Sequence, residues 1–495
     1  MQALVKVGFR LKSTRIVIVG GGYSGSCLAV QLVRQTHKPI VITIVESRPQ
    51  IGPGLAYSTM DPDHRLNAPS FSHTIHPTDA WHFTRWCRDE HVLANDPDAI
   101  QPDGTTFVRR REFGRYLSAM VHQHSSWPTT GSSITHCHDK AIHAQRRERV
   151  WQIHLAGGST LDADLLLLAT GNPELRLPAV LAENKDDLPG LIENPFARGA
   201  LESVEPTDRV FIIGSGLTAL DALSTLIRRG HEAPIDVISR HGLRPVPQGP
   251  IPVTLADALR STPLDELPAS LLLDRVLAPA PEFLLTASVP TAKFRLRHWL
   301  MSLRNRLAHG KSQGESWHTG FDELRDAVWQ LWPRLPLEEK RRFVRHLKPW
   351  YDVHRYRSPP PNEQLIRSVE RSGRVRFLRG KVAPGGRLVF SDRPERAVAL
   401  DYDRVINCAG LDPTSGLRSN PLLMSLEAQG FLRAHPCGLG IEADLICRAI
   451  DVGGRPLDHL RLVGPPTLGT FGDPICAIYI AMQVHRLVPE ILGTL

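Results

Sequence analysis

Ile16-Val17-Ile18-Val19 runs directly into Gly20-Gly21-Gly22-Tyr23-Ser24-Gly25, and the stretch from Ser26 to Gln35 continues with helix-like spacing. A β-branched strand, a glycine turn and a helix in that order predict the opening of a βαβ unit. Ile40 to Val45 supplies the second strand, which ends at Glu46. In Gly20-x-Gly22-x-x-Gly25 the first glycine permits a tight turn, the second lets backbone approach a pyrophosphate, and the third lets helix pack closely on strand. The helix N-terminus then faces the phosphates with its partial positive charge. Glu46 is placed to accept hydrogen bonds from a ribose diol. Ser24 in the turn and Arg48 just beyond the acid complete this candidate set.

The same order of elements returns later. Arg209 to Ile213 is the expected strand, Gly214-Ser215-Gly216-Leu217-Thr218-Ala219 the turn, Leu220 to Arg229 the helix, and Asp236 to Ser239 the next strand. Gly214, Gly216 and Thr218 are the candidate dinucleotide contacts, with Ala219 standing where the first motif has its third glycine. No acid ends this strand; Ser239-Arg240-His241 does. A hydroxyl and a guanidinium there suit a 2′-phosphate, so NADPH is preferred, with NADH as the alternative.

With 495 residues the chain exceeds the size at which one core keeps growing, and more than one domain is expected. The net charge of +8 calls for an anionic partner. The arginines are dispersed and no aromatic-interleaved basic run is present, which argues against nucleic acid. The seven cysteines include no Cys-x-x-Cys pair, pointing to a reducing cytoplasm and away from structural zinc. His136 and His138 alternate on one strand without companion ligands, so no metal site is expected. Met1 to Arg15 has no sustained apolar segment, and no apolar run is long enough to span a bilayer.

Strands are expected near Ile134 to His138 and Val150 to Leu155, then at Leu165-Leu166-Leu167-Leu168-Ala169-Thr170-Gly171, with Arg404-Val405-Ile406-Asn407-Cys408-Ala409-Gly410 as a later counterpart. A Trp-, Leu- and Arg-rich region from about 254 to 361 has helical periodicity and ends at Pro359-Pro360-Pro361. The expected fold is therefore α/β, with two Rossmann-like dinucleotide-binding domains and a helical insertion. The expected division is 13–200 and 401–495 for the first domain and 205–400 for the second.

Two such modules, each tied to an Ala-Thr-Gly or Cys-Ala-Gly strand, resemble the flavoproteins with two dinucleotide-binding domains. Gly52-Pro53-Gly54-Leu55-Ala56-Tyr57-Ser58, His64-Arg65-Leu66-Asn67-Ala68-Pro69, Phe107-Val108-Arg109-Arg110 and Phe113-Gly114-Arg115-Tyr116-Leu117 narrow the likeness. So do Ile238 to Leu243 and Trp350-Tyr351-Asp352-Val353-His354-Arg355-Tyr356-Arg357. These phrases resemble a bacterial FAD/NAD(P)-binding family that includes an FAD-dependent urate hydroxylase. The resemblance implies FAD at the first turn, a nicotinamide cofactor at the second, and Asn67 near the isoalloxazine ring. It also implies that Gly464-Pro465 through Gly472-Asp473-Pro474 closes the flavin site, with Asp473 expected to cap a helix from Ile475 to Leu487. Arg355 is grouped with Asn67 as catalytic, and His354 and Arg357 as ligands of an anionic substrate.

The chemistry expected from this likeness is NAD(P)H-dependent monooxygenation. A flavin C4a-hydroperoxide would hydroxylate a small polar, anionic molecule, a purine-like ring or an amino-acid nitrogen, with dioxygen as co-substrate. The absence of a cysteine pair argues against disulfide reduction. Phe196-Ala197-Arg198-Gly199-Ala200-Leu201-Glu202 lacks the histidine of the F-x-G-x-x-x-H phrase, which argues against Baeyer-Villiger chemistry. A flavin reductase or oxidase, and an FAD-binding redox sensor, are the alternative readings.

Overall fold

The computed structural model describes residues 13–495 except 174, 176, 184, 189, 198, 282–294, 384–386, 391–392, 400 and 411–412. Most of the Met1–Arg15 segment, Arg198 in the linker phrase and part of the helical region thus lie outside the described residues.

The chain opens with β1 (Thr14–Val19), α1 (Tyr23–Gln35) and β2 (Ile40–Val45). After α2 (Arg110–Gln123) come β3 (Ser126–Trp127), β4 (Ser132–Cys137), β5 (Ala141–Arg147), β6 (Val150–Leu155), β7 (Thr160–Ala163) and β8 (Leu165–Leu168). β9 (Leu191–Ile192) and β10 (Val210–Ile213) lead into α3 (Leu217–Arg228) and β11 (Ile235–Ser239). A helical region follows, with α4 (Val253–Ser261), α5 (Ser270–Leu277), α6 (Leu296–Ser312), α7 (Trp317–Leu331), α8 (Leu337–His346) and α9 (Lys348–Arg355). The chain then forms α10 (Pro360–Arg371), β12 (Val375–Ala383), β13 (Arg387–Phe390), β14 (Arg393–Ala399) and β15 (Arg404–Asn407). It closes with β16 (Arg448–Ile450), β17 (Pro456–Leu462) and α11 (Ala477–Leu492).

The first sheet has the order β16-β17-β8-β1-β2-β4-β3, and β1 lies parallel between β2 and β8. Its central strands β1, β2 and β8 are nearly continuous apolar runs because both faces are covered. α1 and α11 pack on one face, where Leu28, Leu32, Ile480 and Val484 are fully buried. The antiparallel trio β5-β6-β7 and the 417–443 region cover the other, around Trp151 and Leu423. The second sheet, β14-β13-β12-β11-β10-β15-β9, repeats the parallel centre, with α3 and α10 packed against it. This is the α/β architecture with two Rossmann-like units, and the helical insertion lies within the second.

The expected boundaries need adjustment at two strands. β15 pairs with β10 in parallel, and β9 pairs with β15, so Arg404–Asn407 and Leu191–Ile192 both belong to the second sheet. The second unit therefore takes in residues 191–192 and 404–407, which the expected division assigns to the first domain. The expected turn residues Tyr23–Gly25 and Leu217–Ala219 form the first turns of α1 and α3, because the helices begin at once after Gly22 and Gly216. The exit of the insertion at Pro359–Pro361 agrees with a helix start, since Pro359 occupies the N-cap of α10 and Pro360 its first position.

A polar seam joins the two units beside residues 61–67. Arg110 pairs with Asp221 at 2.7 Å, Arg228 pairs with Asp61 and Asp63, and Asn362 donates to the Asp63 carbonyl at 2.8 Å. The seam holds the Asn67 loop between the modules.

Candidate functional site

Both glycine turns follow one physical plan. Gly20 has φ +105°, and a Cβ there would stand 2.2 Å from the Ala169 carbonyl oxygen. Gly214 has φ +100°, and a Cβ there would stand 2.0 Å from the Cys408 carbonyl oxygen. A side chain is excluded at both by backbone geometry and by the neighbouring strand. α1 and α3 then start on Gly22 and Gly216, neither of which offers a capping side chain. Apart from Ala219, whose N–H returns to the Gly216 carbonyl at 3.0 Å, the first-turn N–H groups are left for an acceptor from outside, at the positive end of each helix. A Cβ on Gly22 would meet only Gly54 Cα, at 3.4 Å, and one on Gly216 would meet nothing within 4 Å. The space above both turns is thus free for a phosphate.

Glu46 is buried at the end of β2, and its Oε2 accepts the Gly21 N–H at 2.9 Å. Its Oε1 accepts from the Arg48 backbone at 2.9 Å and from Arg48 Nη1 at 3.2 Å. Each carboxylate oxygen has two lone pairs, so capacity remains for a ribose hydroxyl. Ser24 is buried under Gly464, where a Cβ would come within 2.4 Å of its hydroxyl oxygen. His136 and His138 donate from Nε2 to the Glu46 and Ser47 carbonyls, each at 3.0 Å, which ties the strand end down. Among the described residues no group of three or more metal-ligating side chains forms. Thr170, beside Gly20, keeps a buried hydroxyl with no partner. An unpaired hydroxyl, an acid and an uncapped helix around one turn fit an adenine dinucleotide.

At the second turn, Thr218 is half-buried in the first turn of α3, and Ser239 donates to the Leu243 carbonyl at 3.2 Å. Arg240 is exposed and has no ion-pair partner among the described residues.

The structure brings Asn67 and the His354–Arg357 stretch into one neighbourhood through a residue not singled out by sequence. Gln248 donates to the Asn67 carbonyl at 2.5 Å, and its own N–H reaches the Ser358 carbonyl at 3.1 Å. The 246–248 segment, bridged to Ser358, thus lines up the exit of the insertion with the Asn67 loop.

Arg355 and Asp473 are both buried and form an ion pair through Nε and Oδ2. Tyr351 and Tyr356 donate their hydroxyls to the same carboxylate at 3.2 and 3.1 Å. Asp473 therefore does not cap the last helix. α11 begins at Ala477 behind Cys476, without a side-chain cap. The chain bends at Gly472, φ +84°, where a Cβ would come within 2.7 Å of Trp332, and the aspartate swings into the interior. The guanidinium of Arg355 lies over the rings of Tyr356 and Tyr479, 5.1 and 5.3 Å from their centroids. Burial is the largest single influence and opposes its charge, but Asp473, with Cys476, Tyr356 and Tyr479 behind it, outweighs burial and holds its pKa above the usual range. Burial raises the phenols of Tyr351, Tyr356 and Tyr479 well above their ordinary values, so they serve as neutral donors. Nη2 of Arg355 remains buried and without a partner.

Arg357 is also buried; its Nη2 bonds Asp322 at 2.6 Å and its Nε the His354 carbonyl at 2.9 Å. Burial pulls its pKa down, with Asp322 opposing. His354 bonds the Trp350 carbonyl at 2.6 Å and packs edge-on to Trp317. α7 supplies a second buried set, in which Arg325 Nη2 pairs with Asp326 at 2.8 Å and Nε bonds the Tyr479 hydroxyl at 3.0 Å. The expected ligands are thus balanced by carboxylates of the insertion and of the C-terminal segment. Tyr351 and Tyr356 lay within the Trp350–Arg357 phrase without being singled out, and Asp322 and Tyr479 carried no local signal, since contact across the chain is what gives them a role.

Residues 17–173 match a family model described as FAD-NAD(P)-binding. No curated protein matches the sequence. Among solved structures, the chain is similar to ornithine N-hydroxylase of Kutzneria sp. 744 at 13% identity and a TM-score of 0.59, covering 97% of this chain and 99% of that one. It is similar to ornithine hydroxylase of Pseudomonas aeruginosa at 14% identity and a TM-score of 0.57, covering 97% and 99%. L-lysine 6-monooxygenase of Pseudomonas syringae gives 14% identity, a TM-score of 0.57 and coverage of 97% and 98%. The fold is that of these flavoprotein monooxygenases over nearly their whole length. No described helix is long and apolar enough to cross a membrane.

Proposed function

We propose that the chain is an FAD-dependent, NADPH-consuming monooxygenase that hydroxylates a small polar, anionic molecule. The observation that carries the reading is the buried Arg355 guanidinium, with one nitrogen unpartnered, in a chain whose two glycine turns both lie open to phosphate. Bound at the first turn and reduced by nicotinamide hydride, a flavin supplies activation of dioxygen and transfer of one oxygen atom.

The chain's own residues do the rest. The N-terminus of α1 holds the pyrophosphate, Glu46 the ribose, and the Thr170 hydroxyl a further polar atom of the dinucleotide. Arg355, fixed by Asp473, presents Nη2 to an anionic or carbonyl oxygen as a preorganised donor. The neutral phenols of Tyr479, which is buried, and of Tyr351 and Tyr356, which are half-buried, shield that donor from water. The thiols offer no competing route. All seven cysteines are free, and burial pushes those of Cys27 and Cys447 up to about 12. Solved structures of like fold include, by their names, an ornithine N-hydroxylase, an L-lysine 6-monooxygenase and a cadaverine monooxygenase, which supports the amino-acid nitrogen as one substrate class. The sequence phrases shared with the urate hydroxylase family support the purine-like ring as the other.

The test is oxidation of NADPH by the purified flavoprotein under isotopically labelled dioxygen, with amino acids and purines offered in turn. Labelled oxygen in a hydroxylated product, with oxygen uptake stimulated by that compound, is the expected result. Equal NADPH oxidation with a quinone under anaerobic conditions and no label in any product would replace the reading with a reductase. Bound flavin without turnover would replace it with a sensor.

A further inference from the structure

We propose that Arg379, on the strand beside the second glycine-turn unit, joins Ser239 and Arg240 in holding the 2′-phosphate of NADPH and so selects it over NADH. The inference rests on the NADPH reading above and names a residue of that site.

β11 and β12 run parallel with Ser239 directly opposite Arg379, and paired strands lie about 4.8 Å apart. The turn after Ser239 folds over the stem of Arg379. Gly242 has φ +65°, and a Cβ there would stand 3.0 Å from Arg379 Cβ. Arg379 therefore emerges at the carboxyl end of the sheet, next to Arg240, where the adenosine ribose of a dinucleotide seated on Gly214 and Gly216 belongs.

The charges around this spot are unevenly settled. Three residues earlier on β12, Arg376 makes two hydrogen bonds to Asp236, at 2.7 and 2.6 Å. Arg244 pairs with Glu363 at 3.0 Å and with Glu370 at 3.1 Å. Arg240 and Arg379 are exposed and have no carboxylate among the described residues. Two uncompensated guanidinium groups on adjoining strands repel one another, and a dianionic phosphate between them reverses the sign of that interaction. Their planar forks match phosphate oxygens in a way that lysine would not.

The experiment is calorimetric titration of the full-length protein with 2′,5′-ADP and with 5′-AMP, which lacks the 2′-phosphate. The wild type is expected to prefer 2′,5′-ADP. Arg379→Gln should weaken 2′,5′-ADP about tenfold and leave 5′-AMP unchanged, a loss typical of one charge-assisted contact. Arg371→Gln, which removes an exposed cation on α10, should change neither, so that a general loss of charge is separated from a site. If Arg379→Gln binds 2′,5′-ADP as the wild type does while Arg240→Gln is weakened, the inference falls and the NADPH reading stands. If the wild type binds the two fragments equally, the NADPH reading itself falls and the inference with it.

Discussion

The two glycine turns share a plan but differ in what surrounds them. Above the first, Gly54 approaches Gly22 closely enough that a Cβ on Gly54 would sit 2.8 Å from Gly22 Cα, and Gly464 covers Ser24. Above the second, Gly216 faces open space. At the strand ends, one unit has the buried Glu46 and the other the exposed Arg240. A ligand on the first turn is enclosed by chain segments from both ends of the sequence, whereas one on the second has an unobstructed path out. On the proposed assignment, that is the difference between a flavin that stays and a nicotinamide that is exchanged every turnover.

The strongest test of the comparison is Gly22→Ala. The protein alone tolerates the new methyl group, so the fold should persist, with an unchanged circular dichroism spectrum. The phosphate position should not tolerate it, and the variant should purify colourless. Retention of full flavin colour would break the assignment of the first turn.

A second difference, among the described residues, is how many histidines are buried: His64, His73, His76 and His124 in the first unit, His231 in the second. The loop covering the first unit contains His73, 2% exposed, whose pKa burial lowers to about 4 against a weaker opposing bond to the Pro69 carbonyl. His76 beside it is lowered to about 2, by burial first and then by His82 and Arg34. A folded-state pKa below the unfolded value of about 6.5 means that the unfolded chain binds the proton first. Stability is therefore full above about pH 6.5 and falls as pH drops, by about 3 kcal/mol for His73 on reaching pH 4. The denaturant midpoint for flavin release should fall across this window, and less steeply in His73→Gln. A midpoint independent of pH would remove the distinction.

How far these features could be read in advance depends on the distance over which their causes act. β1, β2 and the Leu165–Leu168 strand were legible because a nearly continuous apolar run ending at a glycine turn or an acid needs no distant partner. Glu46 was legible from its place after β2. The insertion showed its helical period, but not that Asp322 would face Arg357 or that Gln248 would reach Asn67. Asp473 misled for the same reason. Asp-Pro before an apolar run is a local capping signal, and it lost to Arg355, 118 residues earlier, because an unpaired buried guanidinium costs more than an absent cap. The boundary at residue 401 failed because β15 reads like the last strand of either unit until its pairing with β10 is known.

The smallest expected effect concerns the third position of each motif. At Gly25 a Cβ would stand 2.0 Å from the Gly20 carbonyl oxygen, so α1 lies against its own turn with no room for a methyl group. Ala219 carries that methyl and is fully buried, so α3 sits correspondingly further from its turn. Closeness at the first turn thus depends on glycine, while the second has already relaxed to accept alanine. Ala219→Gly then gains nothing in approach and loses helix propensity, which should lower stability by about 1 kcal/mol without changing NADPH affinity. Thermal unfolding and a nicotinamide titration of this one variant measure both. A marked gain or loss in affinity would mean that the third position sets the phosphate distance in the second unit as well, and that the two turns grip their ligands alike.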